Sequence, residues 1–193
     1  MSRGPLRAVV FDMDGTLTRP YLDFAAIRAA VGVAEPLLEN LLAMPPGPAR
    51  DRAFAILERF EDEAAHASEL NEGAVEVLDF LARRSVPAAV LTRNSRRSTE
   101  IVLRKHPLQV QVSVTRDDAP AKPRPEALWM ICGRLGVAPA QALMVGDFKF
   151  DILAGRNAGT RTALLTHGKT PSYLKDIPPD HLLDRLEDLV GLF

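Results

Sequence analysis

One cysteine in 193 residues, Cys132, excludes an internal disulfide. It lies in "EALWMICGRLG", an apolar helical pattern with no histidine in sequence reach, so it reads as a core residue rather than a nucleophile. A surplus of charge of one sign is missing too: 24 Lys and Arg face 25 Asp and Glu, a formal net charge of -1, with no dense basic run. That removes the electrostatic footprint of a nucleic-acid binder or of a protein held on an anionic membrane. Long hydrophobic runs are absent. Nothing approaches the roughly 18 apolar residues of a membrane span, and "MSRGPLRAVVF" holds too short an apolar stretch for a signal peptide, which predicts a cytoplasmic chain. The four histidines, His66, His106, His167 and His181, are scattered and form no ligand-spaced set. What remains is small-molecule chemistry on one well-buried core, from a chain that is 47% hydrophobic. No long exposed apolar segment demands a partner, so a monomer or weak homodimer is expected.

The apolar run Ala8-Val9-Val10-Phe11 reads as a strand buried on both faces, ended by the flexible turn at Gly15. From about Pro20 to Asn71 no strand pattern follows. Leu22, Ile27, Val31, Leu37, Leu38, Leu41, Leu42, Phe54, Leu57 and Phe60 recur at helical spacing, broken by "PPGP" at 45–48. From Gly73 helices alternate with the apolar stretches "VPAAVLT", "LQVQVSVT", "ALMVGD" and "RTALLT"; the tail "HLLDRLEDLVGLF" reads as a last strand and an amphipathic helix. Strands spaced by helices predict βαβ units, hence an α/β fold with a parallel sheet and helices on both faces. A βαβ connection needs only about a dozen residues. The helical segment after the first strand is far longer, and a small helical cap over the acidic turn is the economical reading. Residues 1–18 and 73–193 are assigned to the α/β core and 19–72 to the cap.

Four stretches then fall at one edge of the sheet. Asp12 and Asp14 end the first strand; Thr92, Arg93 and Asn94 end the next; Lys122 precedes a helix; Asp147 ends another strand, with Asp151 one helical turn later. Parallel strands present their carboxyl ends on one side, where open α/β sheets bind ligands. Several carboxylates against one lysine in a partly buried cleft raise one another's pKa, and a divalent cation resolves the conflict. Oxygen ligands without cysteine or histidine favour a hard ion such as magnesium, Mg2+. With Lys122, Thr92 and turn amides it forms a phosphate-binding set. Two carboxylates at i and i+2 can divide the remaining work, one attacking phosphorus, the other protonating the departing alcohol and activating water.

These residues together resemble the haloacid dehalogenase (HAD) superfamily of hydrolases, and the resemblance covers most of the chain. "FDMDGTLT" matches its first motif, the threonine of "VLTRN" its second, Lys122 in "KPRPEAL" its third, and Asp147 and Asp151 in "GDFKFD" its fourth. The resemblance implies a Rossmann-like core, with Asp12 as nucleophile and Asp14 as general acid/base. Asp12, Asp14 through its backbone carbonyl, and Asp147 become metal ligands, Asp151 a supporting acid, and Thr92 and Lys122 phosphate binders. The insert resembles the small helical cap of phosphoglycolate-phosphatase-like members. Two positions depart from many relatives. Arg93 stands between Thr92 and Asn94, either meeting substrate phosphate or facing solvent, and Phe148 replaces the serine or threonine after "GD", leaving Lys149 without a role.

Asp14 argues for phosphate-ester hydrolysis, because dehalogenases and phosphonatases do not need an acid there, and the cap carries no lysine between Arg19 and Asn71. The expectation is a phosphatase for a small phosphorylated metabolite, working through an aspartyl-phosphate. A sugar-phosphate mutase keeps both acids. A phosphoacceptor domain without turnover gathers similar residues, but it takes its aspartate from a middle strand and has no such insert.

Overall fold

The computed structural model describes residues 4–106 and 108–193. Strand β1 (Ala8–Phe11) is buried along its whole length, as an unbroken apolar run requires. Around it β2 (Ala88–Leu91), β3 (Val112–Val114), β4 (Ala142–Gly146), β5 (Arg161–Leu165) and β6 (His181–Leu183) pair in parallel, in the order β3-β2-β1-β4-β5-β6. The chain builds outward from β1 to β3, then crosses back to β4 on the other side. Strand order therefore reverses between β1 and β4, the point at which doubly wound sheets open a crevice for ligands.

Side chains alternate across the sheet. Val9, Phe11, Val90 and Val145 pack with α4 (Ala74–Arg83) and α5 (Arg96–Lys105), while Val10, Ala89, Leu91 and Met144 pack with α6 (Glu126–Leu135) and α7 (Lys149–Ala158). Helices thus cover both faces, as expected. Cys132 is buried between Ala8 and Ala142, and burial pushes its thiol pKa up, which suits a core residue. After β6 the expected amphipathic helix closes the tail as a 3-10 helix over Leu186–Leu192. Three residues per turn bring Leu186, Leu189 and Leu192 onto one side, where the first two are buried and the third is partly so.

The segment between β1 and α4 is helical: α1 (Phe24–Val31), α2 (Leu37–Ala43) and α3 (Pro48–Ala67). Asp23 caps α1 by accepting from the Ala26 N–H at 2.9 Å. Pro48 opens α3, where a missing N–H costs nothing. The three helices share a core of Ile27, Leu37, Leu38, Leu41, Ala53 and Leu57, against which Ala121 of the α/β part packs. The chain leaves and returns side by side: the Asn71 N–H donates to Leu17 O at 2.9 Å and the Arg19 N–H to Glu69 O at 2.9 Å. The insert is therefore hinged next to the acidic turn. Among the described residues no helix is long and apolar enough to cross a membrane.

Candidate active site

Three neighbouring strand ends supply the site. The Asp12 N–H donates to Val145 O at 2.8 Å and the Thr92 N–H to Val114 O at 3.0 Å, so both residues continue their ladders one step past the strand. Asp147 follows directly on Gly146, the last residue of β4. Asp151 sits in the first turn of α7, and Lys122 comes from the loop before α6.

Lys122 is only 2% exposed, yet fully partnered. Its ammonium lies 2.7 Å from Asp12 Oδ1 and 2.6 Å from Asp151 Oδ1, and donates to Leu91 O at 3.1 Å. Three donors meet three acceptors. Burial pulls the Lys122 pKa down, but Asp12 and Asp151 more than offset it and leave it raised.

Asp12, Asp147 and Asp151 each offer one oxygen within 4.8 Å of the others. One ammonium does not neutralise them. Burial, with Asp151 and Asp147 adding to it against Lys122, pushes Asp12 well above the carboxylate range. Asp147 is pushed up to about 7, first by burial and then by Asp151. Negative charge is thus in surplus at a point where only oxygen atoms converge, which fits a hard divalent cation. Asp151 stands inside this triplet, although the sequence marks it only as a supporting acid. Its other oxygen accepts from the Phe148 N–H at 3.0 Å, closing the start of α7.

The Asp14 carboxylate is set apart from the triplet. It accepts from Asn94 Nδ2 at 2.6 Å, and burial raises its pKa to about 6 against the opposing pull of Asn94 and Lys122. Thr92 is buried beside it, its Oγ1 accepting from the Asn94 N–H at 3.1 Å. Gly15 allows the turn to close, since at φ +80° an added Cβ would lie 2.2 Å from Asp147 Oδ2.

Arg93, read from the sequence as a phosphate binder or a solvent-facing residue, is turned to the insert. Its guanidinium donates to both oxygens of Glu39 on α2, at 2.9 and 3.0 Å, and to Lys122 O at 2.8 Å. It also stacks over Phe150, 4.4 Å from the ring centre. A second tether is buried: Glu61 of α3 accepts from the Ser95 N–H at 3.2 Å and from Arg116, whose Nη1 also reaches Arg93 O at 3.2 Å. Sequence reasoning missed Glu39, Glu61 and Arg116, whose ion-pair partners lie more than fifty residues away with no local signal. It also missed His167, whose Nε2–H donates to Gly15 O at 2.7 Å. The positive φ of 51° at His167 cannot be read from the chain.

Comparison with known proteins gives the family. A family model described as haloacid dehalogenase-like hydrolase matches residues 45–165. A haloacid dehalogenase-like hydrolase domain-containing protein of Arabidopsis thaliana is 30% identical over 205 residues, covering 97% of this chain and 83% of that protein. An N-acetylmuramic acid 6-phosphate phosphatase of Pseudomonas aeruginosa is 31% identical over 192 residues, covering 87% of this chain and 85% of its own. Among solved structures, a predicted phosphoglycolate phosphatase from Haemophilus somnus superposes with a TM-score of 0.76 at 21% identity, covering 100% of this chain and 99% of that one.

Proposed function

Because this chain belongs to the haloacid dehalogenase-like hydrolases, among which it is phosphatase-like, we propose that it is a magnesium-dependent phosphomonoesterase for a small phosphorylated metabolite. The observation that carries the reading is the meeting of Asp12, Asp147 and Asp151 within 4.8 Å, with Lys122 bonded to two of them.

Each residue has a task that its surroundings support. Asp12 is the nucleophile: its Oδ2 is left to attack phosphorus while Oδ1 is held by Lys122 and, at 2.7 Å, by the Met13 N–H. The P–O bond to the leaving oxygen breaks as the aspartyl-phosphate forms. Asp14, with its pKa near 6, gives a proton to the departing alcohol and then takes one from the water that hydrolyses the acyl phosphate. Lys122 and Thr92 bind the phosphoryl oxygens. Asp12, Asp147 and the Asp14 carbonyl, with Asp151 beside them, would hold magnesium, which would supply positive charge for those oxygens and for the crowded carboxylates. The helical segment 19–72 acts as a cap over the pocket, excluding water during attack. Arg93 serves this account by joining the cap to the phosphate-binding loop instead of by binding phosphate.

Incubation with para-nitrophenyl phosphate and magnesium tests the proposal. Turnover that is lost on removing the metal and in Asp12→Asn supports it. One phosphoryl group retained per chain, without turnover, overturns it in favour of a phosphoacceptor protein.

A further inference from the structure

Phe148 directly follows Asp147, yet its side chain is 44% exposed. It also stands at the N-cap of α7, where Ser, Thr, Asp or Asn is favoured, and its side chain makes no capping bond. The fold gains neither full burial nor a cap from this ring. Its orientation is nonetheless fixed. Phe150 and Tyr173 meet it edge to face, with ring centres at 5.4 and 5.7 Å and interplanar angles of 70° and 77°.

The aromatic trio is fastened to the acidic pocket. The Tyr173 hydroxyl donates to Asp147 O at 3.3 Å, and the Phe148 N–H donates to Asp151. Cations border it: Lys149 Nζ lies 5.6 Å from the centres of both Phe148 and Phe150, and Arg93 lies over Phe150 while gripping Glu39 on α2. Phe150 is thereby linked through Arg93 to α2 of the insert, and Phe148 stands beside it. Phe148 directly follows Asp147 of the acidic triplet, so the rings border the place a phosphoryl group would occupy.

We infer that this rim binds phosphomonoesters whose leaving group carries a flat apolar ring, aryl or nucleobase, stacked on Phe148. A half-exposed ring fixed by its neighbours offers area to a flat group, and Lys149 Nζ, 5.6 Å from its centre, adds positive charge for an anionic ester. Small hydrophilic esters gain nothing from such a surface. The inference rests on the phosphatase reading and specifies its substrate class.

Benzyl phosphate and ethyl phosphate both release a simple alcohol, so their comparison isolates the ring. With magnesium, kcat/KM for benzyl phosphate exceeds that for ethyl phosphate by about tenfold, the size of one good ring contact. The ratio falls to near one in Phe148→Ala and in Phe148→Leu, which keeps apolar bulk, and survives in Phe148→Tyr. Adenosine 5′-monophosphate follows benzyl phosphate if nucleobases share the site. Equal rates on both esters in the unmodified protein, or a ratio untouched by Phe148→Ala and Phe148→Leu, overturn the inference while leaving the phosphatase reading intact. Failure to hydrolyse any ester overturns both.

Discussion

The side-chain amide of Asn94 donates to Asp14 Oδ2 at 2.6 Å, and this bond separates two acids that share one turn. Asp12 is paired with a cation and Asp14 with a neutral amide, which suits the proposed division of nucleophile from proton carrier. Asp14→Asn is expected to lower kcat by about 100-fold or more, the usual scale of general acid–base catalysis. Magnesium affinity changes little, since the Asp14 carboxylate lies outside the Asp12, Asp147 and Asp151 triplet. Asn94→Ala removes a bond that lowers the Asp14 pKa, so the limb of the pH–rate profile reporting Asp14 moves to higher pH. Rate profiles beside a metal titration by calorimetry check both outcomes.

Gly15 presses against Asp147 so closely that no other residue fits. Gly15→Ala meets a steric conflict with Asp147 Oδ2 and a left-handed φ of +80°. The conformation alone costs an alanine roughly 1–2 kcal/mol, and each kcal/mol lowers Tm by roughly 2–4 °C in a chain of this size. Thermal unfolding detects that loss. Magnesium affinity falls with it, because Asp147 must move away.

Asp147 gives the metal-free protein a distinct pH dependence. Its pKa is about 7 when folded against an ordinary 3.8, so the folded state holds the proton more tightly than the unfolded one. The stabilisation is complete below pH 3.8 and is lost as pH rises towards 7 and beyond. In chelator-treated samples Asp147→Asn is therefore more stable than the unmodified protein at pH 8, and the gap narrows on acidification to pH 5. Adding magnesium at pH 8 raises Tm in the unmodified protein by mass action, and far less in Asp147→Asn.

Glu39 and Glu61 both tether the insert, and they differ in burial. Glu61 is 3% exposed and paired with Arg116, so Glu61→Ala leaves that buried guanidinium with Glu58 at 3.8 Å as its remaining carboxylate, a loss of about 3 kcal/mol. Glu39 meets Arg93 nearer the surface, and such a pair contributes at most about 1 kcal/mol. Glu39→Ala is expected to unfold at almost the same temperature. Its α2 exchanges amide hydrogens faster, and KM rises as the proposed cap is held less firmly. Denaturation curves and hydrogen exchange separate the two variants.

Most of the fold is legible in the chain because its signals are local. The apolar strands from Ala8 to Leu165 and the helical spacing of Ile27, Leu38 and Leu57 each announce their element. Strand ends then place Asp12, Thr92 and Asp147 together by topology alone. The tail was harder, since Leu186, Leu189 and Leu192 suit an α-helix and a 3-10 helix alike. Contacts between distant segments carry no such signal. Nothing around Arg93 reveals that it faces Glu39 instead of a phosphate, and nothing around Asp151 reveals that its carboxylate reaches the Asp12–Asp147 pair. Both depend on how helices settle on the sheet.

Covalent transfer of phosphorus to Asp12 is the central claim. In Asp14→Asn, where hydrolysis of the acyl phosphate is slowed, rapid acid quenching of a reaction with para-nitrophenyl phosphate and magnesium, followed by peptide mass spectrometry, tests it directly. The account predicts one added phosphoryl group on the peptide bearing Asp12, sensitive to hydroxylamine. Phosphoryl transfer to any other residue, or full turnover in Asp12→Asn, would contradict it.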